Sequence, residues 1–260
     1  MTSSITKDKK ALNKFFILLF WLGIWQIVHL VIRRDIYVPS PYSVFLKLKE
    51  LIFMLHFWES VFYSIYRVLL GIVFSILIGL IAAVASSISR CIHDLLKPLM
   101  IAIKSTPVLS FIIIALLWFS SSNVPIFICF LMCFPVIWTN VLAGIENVDK
   151  NLLEMAKIYK AKRLLVIKRI YFPSVLPYFS AACITSLGLG WKVSVAAEVL
   201  SHPKKSIGSN LYSAKVYLDS AELFAWTIVV ILLSMLFEYL FSRIVMRKKL
   251  KKEGWNCSLK

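Results

Sequence analysis

Six long apolar runs separated by short polar segments set the pattern of this chain, at about residues 15–32, 61–86, 99–119, 124–145, 174–200 and 223–242. A helix crossing the hydrocarbon core of a bilayer needs about 20 mostly apolar residues, so each run predicts one membrane-spanning helix. The polar stretches between them are too short to fold as domains of their own. The first run follows Lys7, Lys9, Lys10 and Lys14, as the apolar part of a signal peptide would, but no small-residue cleavage site lies behind it. It reads as a retained first span.

Two runs carry small residues every four positions: Gly71, Ser75, Gly79, Ala83 and Ser87 in the second, and Ala182, Ser186, Gly190 and Ser194 in the fifth. Such rows let helix backbones approach closely where lipid removes the hydrophobic drive between helices, so these two spans are expected at the centre. Pro107 and Pro135 fall inside spans three and four, where a missing N–H permits a kink or a broken turn. Pro173 and Pro177 open span five, where a first-turn proline costs little.

Composition agrees: 60% of the residues are hydrophobic and mean hydropathy is +0.81, above the range of soluble domains. The net charge of +17 would suit a nucleic-acid binder, but its distribution follows a membrane orientation instead. Segments 1–14, 86–98, 146–173 and 243–260 hold 20 of the 30 Lys and Arg residues, against 7 in segments 33–60, 120–123 and 201–222. The positive-inside rule then places both termini in the cytoplasm. No soluble surface is left for nucleic acid. The cysteines at 91, 129, 133, 183 and 257 fit neither a disulfide framework nor zinc spacing, and the four histidines are scattered, so no metal site and no catalytic constellation are expected.

The polar segment between spans four and five is unusually basic, with six Lys and Arg between Leu152 and Pro173. Asn151 followed three residues later by Glu154 reads as a capping box that starts a helix. On a helical wheel Leu152, Met155, Ala156 and Tyr159 share one face and Lys150, Glu154 and Lys157 the other. The pattern loses register beyond Tyr159, which predicts two short helices joined by a bend. Such a basic amphipathic segment can rest on anionic head groups or engage a partner protein.

Glu154-Met155-Ala156, three residues, Lys160, nine residues, then Ile170-Tyr171-Phe172-Pro173 resembles the EAA loop of ABC importer permeases, in which the pattern is E-A-A, three residues, G, nine residues, I-x-L-P. Met155, Lys160 and Phe172 depart from that pattern. The lysine matters most, because a left-handed turn that glycine adopts freely costs lysine about 1 kcal/mol or more. The expectation is therefore either a bend without positive φ or an altered docking of the ATPase. Residues 37–51, 64–84 and 186–200 and the basic end with Trp255 are similar to the nitrate/sulfonate/taurine-type branch of these permeases, so the resemblance covers about residues 37 to 255.

The resemblance implies an all-α membrane protein with six transmembrane helices in the type I ABC importer, MetI-like, permease fold. It implies a cytoplasmic segment at 1–14, a permease domain at 15–246 with its coupling loop at about 147–173, and a basic cytoplasmic tail at 247–260. Glu154, Met155, Ala156, Tyr159, Lys160, Ile170, Phe172 and Pro173 would then form the surface that couples to a cytoplasmic ATPase. The implied partners are that ATPase, an extracytoplasmic solute-binding protein and a second permease copy, in the bacterial inner membrane. The chain has no G-x-x-x-x-G-K-[ST] sequence, so ATP and Mg are expected on the partner and no cofactor in this chain. Repeated halves with midplane carboxylates, as an ion-coupled secondary transporter would show, are not found.

Three cations fall inside spans, where an ionisable side chain is a functional candidate. Arg67 reads as a brace or a snorkelling residue, near the end of span two. Lys104, just before Thr106-Pro107, and Lys192, after a glycine-rich turn, read either as lining the translocation path with Thr106, where they attract an anion or hydrogen-bond a polar solute, or as each paired with a carboxylate or carbonyl, Glu198 being one candidate.

Overall fold

The protein is described by a computed structural model, which covers the backbone of residues 2–257 and the side chains of residues 16, 17 and 19–243. The basic side chains expected at 1–14 and 247–260 lie outside the described residues. Among the described residues all regular structure is helical: α1 (Thr2–Ile32), α2 (Pro41–Ile52), α3 (Leu55–Ile88), α4 (Arg90–Ser105), α5 (Val108–Trp118), α6 (Val124–Glu146), α7 (Lys150–Ile158), α8 (Arg163–Val166), a π-helical turn (Ile167–Tyr171), α9 (Phe172–Ser201), α10 (Ile207–Val216) and α11 (Ser220–Cys257).

Among the described residues four stretches are long and apolar enough to cross a bilayer: Leu55–Ile88, Val124–Glu146, Arg163–Ser201 and Ser220–Arg243. A fifth candidate is the pair α4 and α5, bent by 105°. The run at 99–119 is thus broken at Pro107, one of the two outcomes the sequence allowed there. Pro107 drives its predecessor out of the helical region, and Thr106 is extended at φ −81°, ψ 135°. The Thr106 hydroxyl donates to the Ala102 carbonyl at 2.7 Å and helps to close the broken end. Pro135, by contrast, sits inside an uninterrupted α6. Within the described side chains of α1, the stretch Leu19–Ile32 is apolar and by itself shorter than a full crossing.

The chain divides into two compact units, Met1–Glu59 with Asn210–Val230, and Ser60–Ser209 with Ile231–Lys260. In the first, Ser40 caps α2 by accepting from the Ser43 N–H at 3.0 Å, and Pro41 occupies the first turn, where its missing N–H is harmless. Lys47 faces Glu50, Asp219 and Glu222 at 3.5, 3.5 and 3.7 Å. Burial lowers its pKa, but the three carboxylates outweigh that effect and hold it above the usual lysine value.

The second unit is built on α3, α6 and α9. A Cβ at Gly71 would stand 2.6 Å from the Cβ of Cys129, and one at Gly190 would stand 2.9 Å from the Cys129 sulfur, so both positions require glycine for the helices to close. Ser75, between Gly71 and Gly79, donates to the Phe130 carbonyl across the same seam at 3.0 Å. The expected row ends one residue early. Ser87 is exposed and bonds within its own helix, whereas Ser86 is buried and accepts from the Trp138 indole at 3.0 Å. α6 and α9 run antiparallel: Gly144 faces Tyr178, the Cys133 thiol donates to the Ser186 carbonyl, and Gly190 faces Cys129.

Candidate functional site

The connector between α6 and α9 forms from local signals. The first correction to the sequence reading is its cap: Asp149, not Asn151, starts α7, and its carboxylate accepts from the Asn151 N–H at 2.8 Å. Asp149 precedes the run by enough to leave Lys150 as the first helical residue, and Glu154 lies exposed in the middle of the helix instead of closing a capping box. The two short helices and the bend are as expected.

The bend itself is a Schellman motif. The Ala161 N–H donates to the Ala156 carbonyl at 2.9 Å and the Lys160 N–H to the Lys157 carbonyl at 3.0 Å. Its left-handed residue is Lys160, at φ 47°. Of the two expectations for this lysine, a bend without positive φ is therefore excluded: the chain makes the turn that glycine would make and bears the strain. Arg33, His202 and Leu218 also adopt positive φ beside helix ends, so this chain repeatedly closes helices without glycine.

After α8 the backbone widens into the π-helical turn at Ile167–Tyr171, and the Phe172 N–H reaches back to the Ile167 carbonyl. Pro173 lies immediately beyond it, has no N–H to return, and would crowd the carbonyl four residues earlier in a regular α-helix. The π turn relieves that crowding, so Arg163–Ser201 continues as one helical run into the membrane segment.

Only one residue of the expected apolar face of α7, Ala156, is buried. Leu152, Met155 and Tyr159 are exposed, and Ile158, Tyr159 and Leu164 reach 78%, 79% and 78% of full exposure. Ile170 and Pro173 are half-buried and Phe172 is exposed. The exposed surface of the connector thus carries apolar side chains among Lys157, Lys160, Lys162 and Arg163.

A second constellation lies at the far end of α9. The Arg67 guanidinium donates to Glu198 at 3.0 Å and to the Lys205 carbonyl at 2.9 Å, and both side chains of the ion pair are buried. The Ser64 hydroxyl lies 2.8 and 2.9 Å from the two Glu198 oxygens and accepts from the Ile207 N–H at 3.0 Å. The Gly208 N–H donates to the same carboxylate at 3.2 Å. Arg67 is thus a brace, and Glu198 is the partner of Arg67, not of Lys192. Ser64 and the 205–208 backbone were missed by sequence reasoning. The usable signal was depth: Arg67 and Glu198 both fall near the end of their spans away from the connector.

Lys104 and Lys192 are not brought into contact. The Lys104 ammonium is exposed and donates to the Thr139 hydroxyl at 2.8 Å, while Lys192 is exposed and makes no hydrogen bond or ion pair with the described residues. Thr106 spends its donor on its own helix end.

A helical membrane protein with a basic, bent connector and tightly seamed spans has direct counterparts. Residues 75–249 match the model of the family described as "Binding-protein-dependent transport system inner membrane component". The chain belongs to this family. It is a permease subunit of an ABC importer, a transport component whose ATP hydrolysis resides in a partner subunit. A Bacillus subtilis (strain 168) protein named as an aliphatic sulfonates transport permease protein, SsuC, is 27% identical over 232 residues, which cover 88% of this chain and 83% of that protein. The taurine transport system permease protein TauC of Escherichia coli (strain K12) is 24% identical over 220 residues, covering 82% and 80%. A chain of the MetNI methionine ABC transporter in an inward-facing conformation superposes with a TM-score of 0.63 at 14% identity, over 75% of this chain and 96% of that one, which speaks to the fold alone.

Proposed function

We propose that two copies of this chain enclose the path by which an ATP-driven importer moves a small polar or anionic solute, of the class of a sulfonate, taurine, nitrate or a vitamin precursor, from an external binding protein to the cytoplasm. In this reading Leu19–Ile32 with its preceding turns and the broken α4–α5 pair complete six crossings, both termini are cytoplasmic, and ATP with Mg is held by the partner ATPase. The charge count along the chain supports that orientation. Glu154, Met155, Ala156, Tyr159, Lys160, Ile170, Phe172 and Pro173 belong to the coupling region, and Lys104, Thr106 and Lys192 to the path.

The observation that carries the reading is the uncovered connector: an apolar patch among cations, joined through one tight, hydrogen-bonded bend to a 39-residue helical run. A rigid lever of this kind transmits motion of a docked subunit directly into the span. The test is the ATPase activity of the cognate partner in proteoliposomes. Addition of the permease is expected to stimulate hydrolysis, and Ile158→Asp with Tyr159→Asp to abolish the stimulation while leaving the permease in the membrane. Unchanged stimulation in that variant would refute the assignment of the patch.

A further inference from the structure

The two exposed span lysines share one side of the α6/α9 pair. Leu189, one turn from Lys192 on α9, and Met132, two turns from Thr139 on α6, pack with Val108 and Phe111 of α5 against the same apolar cluster. The antiparallel pairings, Gly144 with Tyr178 and Cys133 with Ser186, set Thr139 level with about Ala181. The Lys104–Thr139 pair and Lys192 therefore stand about 11 helical residues, or about 16 Å, apart along the span axis, the first nearer the connector.

The surface between them differs in kind from the broad apolar face of α3. α9 exposes Ala181, Thr185, Lys192 and Ala196 in one stripe, and a Cβ at Gly188 beside it would meet nothing within 4 Å. α3 instead exposes Leu69, Val73, Phe74, Leu77 and Ile81. Neither lysine has a carboxylate partner among the described residues, and the buried carboxylate of α9, Glu198, is occupied by Arg67. Two ammonium groups held at membrane depth with open, small-residue backbone between them need water or an anion to face.

We propose that Lys192 and the Lys104–Thr139 pair are two successive stations for a small anion on this face of the path. This rests on the transport reading above and adds the order of contact: an anion entering from the end of the Arg67–Glu198 pair meets Lys192 first and the Lys104 ammonium second, beside the Thr106–Pro107 break. At about 16 Å no small anion touches both at once, which keeps each station weak enough to release.

The test places a reporter between the stations and needs no knowledge of the solute. Thr185→Cys is made in the full chain with Cys91→Ser and Cys257→Ser, assembled with its ATPase in proteoliposomes, and reacted with anionic sulfonatoethyl and cationic trimethylammonioethyl methanethiosulfonate. Rates are normalised to a free thiol, with Ile81→Cys as the lipid-facing comparison. The expected result is reaction at Thr185→Cys but not at Ile81→Cys, with the anionic reagent favoured, and a drop of about two- to fivefold in that preference at low salt when Lys104→Gln or Lys192→Gln is added. A Thr185→Cys thiol as silent as the comparison, or a preference indifferent to both lysines, overturns the proposal. If ATPase stimulation persists in that case, the transport reading stands and the stations alone fall; if the parent chain gives no stimulation, the transport reading falls and takes the stations with it.

Discussion

Lys160 shows how much one side chain can decide. Its φ of 47° closes a Schellman motif that satisfies two carbonyls at the end of α7, so the strain of a lysine in that region is offset by the hydrogen bonds it completes. Lys160→Gly is expected to raise the stability of the purified chain by about 1 kcal/mol, and Lys160→Val, with its branched Cβ, to lower it by at least as much. Thermal unfolding in detergent reads both, and amide exchange at Tyr159 and Ala161 should slow in the glycine variant. A glycine variant no more stable than the parent would mean that the lysine side chain contributes to the turn by contacts of its own.

At the level of elements, the rows of small residues in spans two and five were legible because close packing in lipid leaves few alternatives, and Gly71 and Gly190 indeed meet α6 where a Cβ could not fit. The cap of α7 was misread because Asn151 and Glu154 have the spacing of a capping box, while the competing Asp149 differs only in which peptide N–H it reaches. At Pro107 a kink or a broken turn was expected and the chain makes the second, but its 105° angle was not legible, since sequence marks a lost hydrogen bond without the angle that packing then selects. The Arg67–Glu198 pair required the third dimension: its partners Ser64 and Gly208 carry no charge to advertise them. Removing one member strands the other in a buried site, so Glu198→Leu is expected to destabilise by about 3–5 kcal/mol, whereas Arg67→Leu with Glu198→Leu should cost less than the single change. Thermal unfolding of the three variants measures this, and additive losses would contradict the coupling.

For the whole molecule the central matter is how force reaches the membrane. The family was readable from the resemblance of the connector motif, and hydropathy marked the four spans among the described residues, or five with the bent pair, of the six expected; the solute was not readable, because recognition of a small polar molecule depends on side chains that no single spacing marks. What the structure adds is a continuous rod, α8, the π turn and α9, whose outer surface at the connector is apolar, basic and uncovered. The most direct measurement is site-specific crosslinking from Ile158→Cys and Leu164→Cys in the assembled importer, using a short bismaleimide and a series of single-cysteine ATPase partners. Covalent adducts between these positions and one groove of the ATPase, changing in yield when ATP is added, are the predicted result. Labelling of both positions by a lipid-dissolved maleimide alone, with no ATPase adduct in any nucleotide state, would contradict the account.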